Sequence, residues 1–139
     1  MQLNLDCIKD VLLYLIDNIN YKESEDTWDV IPVTLNTLYQ AKELDDYSKT
    51  EIMRSTLDLI KCGYIICLHR SPKDKPYLDE CVVSDISPYG YRFAASVKEP
   101  TTWNKIKSAL SKCGNYTLEF AQAAALQIAT NQLTSLLEK

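Results

Sequence analysis

Three glycines and five prolines in 139 residues exclude collagen-like and low-complexity architectures. The glycines, Gly63, Gly90 and Gly114, stand far apart, so no glycine-rich loop is present to cradle a phosphate. Histidine occurs once, which confines Cys–His or Ser–His–Asp chemistry to constellations built on His69. His69 sits beside Arg70, Ser71 and Pro72 at the mouth of a turn. Asp45-Asp46 and Asp79-Glu80 read as solvated charges rather than a catalytic pair. No catalytic residue is assigned, and a non-enzymatic protein is expected. No apolar run approaches the roughly 20 residues that span a bilayer, so no membrane partner is expected. Met1 to Leu15 has neither a basic start nor a small-residue cleavage site, which points to a cytoplasmic protein.

What is present is ordinary for a folded chain: 46% hydrophobic and 24% charged residues. The length suits one domain, read as a core over residues 1–99 and a C-terminal helical extension over 100–139. Cys7, Cys62, Cys67, Cys81 and Cys113 are an odd set and read as reduced thiols. Cys62, Cys67, His69 and Cys81 are the only cluster worth weighing as a zinc site. Cys62 ends a predicted helix while Cys67 and His69 lie two apart on a predicted strand, which is not the ligand-pair spacing of a zinc finger. Core thiols and a surface histidine are the preferred reading, with no metal and no cofactor. Cys67 and Cys81 are expected to face each other, or nearly so, across a hairpin.

Leu5, Ile8, Leu12, Leu15 and Ile19 recur at three- and four-residue steps, the stripe of an amphipathic helix capped by Asn4. Residues 18–29 are polar and acidic and read as a loop. Asp29 to Val33 is a short strand in which Pro32 allows only an edge or an end. Thr34 caps a short helix that buries Leu35 and Leu38. Ser48 and Glu51 match the capping box of the next helix, whose buried side is read as Ile52, Met53, Leu57, Leu59 and Ile60, with Gly63 as its stop. Tyr64 to His69 reads as a strand, Arg70 to Pro76 as a turn, and Glu80 to Ile86 as the returning strand. Ser87-Pro88 opens a helix with Tyr91, Phe93, Ala94 and Val97. After Glu99-Pro100, Thr102 is expected to cap a helix holding Trp103, Ile106 and Leu110. Thr117 to Leu137 is a long helix with no charge between Glu119 and Glu138.

This order is that of a winged helix-turn-helix. The expected fold is α+β, mostly α, with a small antiparallel sheet and extra C-terminal helices. Three stretches, MQLNLDCIKDVLLYL, the segment from Val30 to Ile65, and Val83 to Leu110, resemble a family of prophage-associated bacterial proteins catalogued as a domain of unknown function. The resemblance covers most of the chain and is strongest in D-I-S-P-Y-G-Y-R-F followed by W-N-K. Tyr91 stands where the family more often carries the histidine of L-T-x-x-G-H-x-F, and Pro88-Tyr89 are atypical. The resemblance implies the fold and a mobile-element origin. It implies no activity.

The net charge is −4, unfavourable for a strong non-specific nucleic-acid binder, but it is unevenly spread. Residues 1–47 carry 3 basic and 10 acidic side chains, residues 48–76 carry 6 and 3, and the remainder 6 and 6. The only net-positive segment is therefore the expected recognition helix plus wing. Lys49, Thr50, Arg54, Ser55, Lys61, Arg70, Lys73 and Lys75 are the expected contacts to double-stranded DNA, with Thr50, Arg54, Ser55 and Asp58 on one outward face. In the terminal helix, Leu126, Ala129, Leu133 and Leu136 follow a heptad-like pattern and Leu118, Ala121, Ala125 and Ile128 form a second stripe. The second stripe packs at home, and the first is expected to meet a partner copy in a homodimer or to be buried in a monomer. Two function classes stay open: a dimeric DNA-binding regulator of prophage genes, and a winged-helix module that binds a host or phage protein. The acidic first 47 residues suit the latter.

Overall fold

The computed structural model describes residues 4–67, 82–114 and 116–138. Helix α1 (Leu5–Asn18) is the buried axis of the molecule. Cys7, Ile8, Val11, Leu12 and Leu15 are all sealed from solvent. The Asn4 side chain accepts a hydrogen bond from the Cys7 amide, as its position before the apolar stripe requires. Around α1 pack α3 (Lys49–Lys61), α4 (Pro88–Val97) and a 3-10 turn over Lys42–Leu44.

Between α1 and the short helix α2 (Leu35–Gln40), residues 20–31 form an antiparallel hairpin, β1 (Asn20–Ser24) and β2 (Thr27–Ile31), where a loop over 18–29 and a single strand from Asp29 to Val33 are expected from sequence. The reason is that the hairpin stands in solvent on both faces. Alternation of apolar and polar residues, the usual strand signature, is a product of one buried face and is absent here. What remains is pairing: Tyr21 opposite Val30 and Glu23 opposite Trp28, closed by a two-residue turn in which Glu25 adopts φ 38°. Pro32 falls between β2 and β3 (Val33–Thr34), where no ladder hydrogen bond is lost.

A second sheet has the order β3-β5-β4, all antiparallel, with β4 at Ile65–Cys67 and β5 at Val82–Ile86. Its register sets Cys67 opposite Val83, two residues away from the expected partner Cys81. A bulge between Ile66 and Cys67 shifts the ladder by one residue. His69, Arg70, Lys73, Lys75 and Cys81 lie outside the described residues.

Helix α3 carries the full capping box: Ser48 Oγ accepts from the Glu51 amide and Glu51 Oε1 accepts from the Ser48 amide, both at 3.1 Å. Its end is a Schellman turn. Gly63 at φ 75° passes its amide to the Ile60 carbonyl, and the Tyr64 amide reaches back to Leu59. Helix α5 (Pro100–Cys113) is capped by Glu99, three residues before the expected cap Thr102. Glu99 Oε2 accepts from the Thr102 amide, and Pro100, having no N–H to satisfy, fits the first turn. Helix α6 (Leu118–Leu137) is capped by Thr117. Side chains from α1 through α6 share one core, from Leu5 to Ala125, so α5 and the first half of α6 are packed against the rest.

Gly90, in the first turn of α4, lies against the backbone of Tyr64. A Cβ there would stand 2.2 Å from the Tyr64 carbonyl oxygen and 2.7 Å from Ile86 Cγ2. Neither neighbour is a flexible side-chain end. Gly90→Ala is therefore expected to destabilise the fold by about 3 kcal/mol or more, since overpacking here moves backbone. Urea unfolding followed by far-UV circular dichroism measures it, and an unchanged midpoint would contradict the close approach.

Candidate functional site

The surface that answers to the sequence-predicted contacts is the solvent side of α3. Thr50, Arg54, Leu57 and Lys61 follow one another at four-, three- and four-residue steps and form one stripe about 16 Å long. Thr50, Arg54 and Lys61 are exposed, and Lys49 is exposed on its flank. The short helix α2, the 3-10 turn and the capping box set the angle of this helix. Two side-chain hydrogen bonds then tie it to α1. Asn4 Nδ2 donates to Glu51 Oε2, and Tyr47 Oη donates to Asp10 Oδ2, both at 2.6 Å.

Ser55 does not belong to this face. It is buried at 2% exposure between Ile52 and Leu59, where its hydroxyl shares a hydrogen bond with the Cys7 thiol. Its neighbour Thr56 is buried as well and donates to the Ile52 carbonyl at 2.8 Å. These two small hydroxyls occupy the α1-facing side where Met53, Leu57 and Ile60 are expected. Those three larger residues are only half-buried. Small residues permit the close approach of α1 to α3, and a hydroxyl bonded locally within the helix costs little on burial. Asp58 also turns inward. Its Oδ1 pairs with Arg54 Nη2 at 3.3 Å, and its Oδ2 is buried with no hydrogen-bond partner among the described residues.

The charges on the face are thus partly engaged. Arg54 is drawn along its own helix to Asp58, and Lys49 Nζ sits 5.7 Å from the centre of the Tyr39 ring. Both side chains are solvated, so these attachments are weak and can exchange for a phosphate. Glu51 is held below the usual carboxylate range, first by the Asn4 hydrogen bond and then by the Ser48 amide, so it remains an anion at the start of the helix. Lys61 lies at the other end, on a cleft of about 310 Å³ shared with Arg54, Asp58, Tyr116 and Glu119.

Elsewhere several large apolar side chains are exposed. On the acidic hairpin Trp28 is 68% exposed and Tyr21 is half-exposed, its phenol held above the usual range first by a hydrogen bond to the Asp85 carboxylate. Tyr91, read from sequence with the apolar side of α4, is half-exposed, while Phe93, Ala94 and Val97 are buried. Leu126, Leu133, Leu136 and Leu137 of α6 are all more than half exposed. The hairpin aromatics are a surface that sequence reasoning missed, and the signal available for it was Tyr21, Trp28 and Val30 within an otherwise polar stretch.

Among the described residues, no group of His, Cys, Asp and Glu is arranged to hold a metal ion, and no helix is long and apolar enough to cross a membrane. Cys7, Cys62 and Cys113 are free thiols. A family model described as a hypothetical protein, DUF2513, matches residues 2–116. The chain belongs to the DUF2513 family. No curated protein and no solved structure matches it. The DUF2513 segment covers the elements from α1 to α5 and stops short of α6, so α3 and its supports lie inside the family segment and the leucine-rich helix lies beyond it.

The thiols are sorted by their surroundings. Burial pushes Cys7 up to about 11, and burial together with the Glu119 carboxylate pushes Cys62 up to about 11. Cys113 is exposed. Only the thiolate reacts. At pH 8, alkylation followed by peptide mass spectrometry should label Cys113 first, Cys62 slowly, and Cys7 only on global unfolding. Labelling of Cys7 at the rate of Cys113 in the folded protein would contradict the packing of α1 against α3.

Proposed function

We propose that this DUF2513 protein is a non-enzymatic, cytoplasmic winged helix-turn-helix protein of phage or prophage origin that binds double-stranded DNA through α3. The observation that carries the reading is the path of the chain around the sheet. Strand β3, helices α2 and α3, and strands β4 and β5 follow in sequence, the strands order as β3-β5-β4, and α3 keeps one long side open to solvent. A helix presented this way, after a short helix and a tight connector, has the docking geometry of a major-groove reader. Thr50 and Arg54 are side chains that contact base edges, and Lys49 and Lys61 supply phosphate contacts at either end. Arg70, Lys73 and Lys75 fall in the segment joining β4 to β5, where the wing of such a fold is placed, and add to the contacts at the level of sequence.

The Arg54–Asp58 pair makes the reading testable in two directions. Three described cations on α3 neutralise about three phosphates, so the log–log slope of affinity against salt should be about −3, and steeper with the β4–β5 segment engaged. Arg54→Ala should weaken specific binding by about 1–3 kcal/mol if it reads a guanine. Asp58→Asn should tighten binding, because it releases Arg54 from its carboxylate partner. Fluorescence titration against pooled genomic fragments at low and moderate salt measures all three. Absence of binding at low salt, or indifference to both substitutions, would overturn the DNA reading.

One observation favours a second reading, a winged-helix module for a host or phage protein. The acidic hairpin between α1 and β3 exposes Trp28 and Tyr21 together, and residues 1–47 carry 10 acidic against 3 basic side chains. An anionic surface with exposed aromatics suits a basic protein partner more than a polyanion. Capture of a partner from host lysate that survives nuclease and is lost with Trp28→Ala would support that reading over the first.

A further inference from the structure

We infer that two copies of this chain associate through α6, laid antiparallel against each other. The inference is independent of what α3 binds. Helix α6 carries an apolar stripe on each of two sides, and each stripe needs cover. Its own domain covers one side of its first half, through Leu118, Ala121 and Ala125, and none of the ten residues from 129 to 138 is buried. Leu126, Ala129, Leu133 and Leu136 run along the open side at three-, four- and three-residue steps, and the exposures of the leucines are 54, 57 and 67%.

The character of this face selects its occupant. From Phe120 to Leu137 there is no charged residue, so neither an acidic nor a basic partner gains an ion pair along the stripe. The partner that fits is equally neutral and equally leucine-rich, and α6 of a second copy is such a surface. The heptad spacing is also self-complementary when reversed. An antiparallel pair with its twofold axis level with Asn131 places Leu126 against Leu136 of the other copy, and Ala129 against Leu133, with each contact repeated by symmetry. A small residue opposite each Leu133 leaves room for it. Beside Leu126 and Ala129, α4 adds Tyr89, Arg92 and Phe93 around a small apolar pocket, at the level where the second copy's Leu133 and Leu136 would lie. The seam from Leu126 to Leu137 is about 18 Å long. Two such seams with the α4 walls cover on the order of 1,000 Å² in total, the lower bound for a specific interface, which sets a dimer of micromolar rather than nanomolar strength.

The test is the mass of the full chain in solution, by light scattering from low to high micromolar concentration. The wild type is expected to rise toward twice 15.9 kDa as concentration increases. Leu126→Asp and Leu136→Lys should each hold the chain at the monomer mass with helical content unchanged, since both positions are already solvated in the single copy. Mixed together, these two variants should dimerise again, because the antiparallel register pairs the new Asp with the new Lys and leaves one leucine pair intact. Should a variant lose helical content, Leu133→Gln, uncharged and at a solvated position, replaces it and should weaken association at least tenfold. A wild type that stays monomeric, a dimer that ignores these substitutions, or a mixture that fails to recover would each overturn the inference.

Discussion

Tyr64 is the residue through which the parts of this molecule are fixed to one another. Its amide closes the Schellman turn at the end of α3, and its carbonyl accepts the Ser87 amide at 2.9 Å where β5 passes into α4. Its ring lies 5.3 Å from that of Phe93 on α4, and its hydroxyl donates to Gln122 on α6 at 2.6 Å. Burial, the first cause, holds its phenol well above the usual range, so it serves as a neutral donor at every physiological pH. The Ser87 hydroxyl adds a bond to the Gly63 carbonyl. The absence of a side chain at Gly90 is what lets α4 come this close. A tyrosine that is 1% exposed, with its backbone and side-chain polar groups engaged, gains the full benefit of burying an aromatic ring at little polar cost.

The consequence for function is the placement of α3. The turn at Gly63 and Tyr64 holds its far end, and the capping box with the Asn4–Glu51 bond holds its near end. Between them the buried side meets α1 through residues small enough to sit close. The opposite side is left to solvent along most of its length. The electrostatic character of that side is moderate. The cations are real but partly attached to neighbours, and the chain as a whole carries a net charge of −4. That balance favours a specific contact, in which geometry supplies much of the discrimination, over a general attraction to polyanions.

The first helix is joined to the later ones by a second polar contact. Trp103 Nε1 donates to Asp6 Oδ1 at 2.8 Å and Lys107 reaches the same oxygen at 3.2 Å. Burial raises the Asp6 carboxyl, but these two partners more than offset it and the net shift is downward. Its contribution to stability is present above the ordinary carboxylate range and is lost as pH falls through the depressed value. The sequence distance bridged, from α1 to α5, is what makes residues 100–113 part of the same core.

Much of the architecture was legible because its causes are local. Asn4, Thr34, Ser48 with Glu51, Ser87 with Pro88, and Gly63 all act through hydrogen bonds or backbone angles within one turn, and each stands where its pattern placed it. The hairpin at residues 20–31 was not legible, since a strand pair exposed on both faces leaves no alternation. The outward face of α3 was read as Thr50, Arg54, Ser55 and Asp58; Thr50 and Arg54 are exposed, but Ser55 is buried and Asp58 turns inward. A period of 3.6 assigns a polar residue outward by default, and only the proximity of α1 makes a small buried hydroxyl preferable to a large apolar side chain. The terminal helix divides in the same way. Its two apolar stripes were written in the residues. How far along the helix the domain's cover reaches was decided by the tertiary structure, because that depends on where α4 and α5 end, and helical periodicity carries no information about the length of a neighbour.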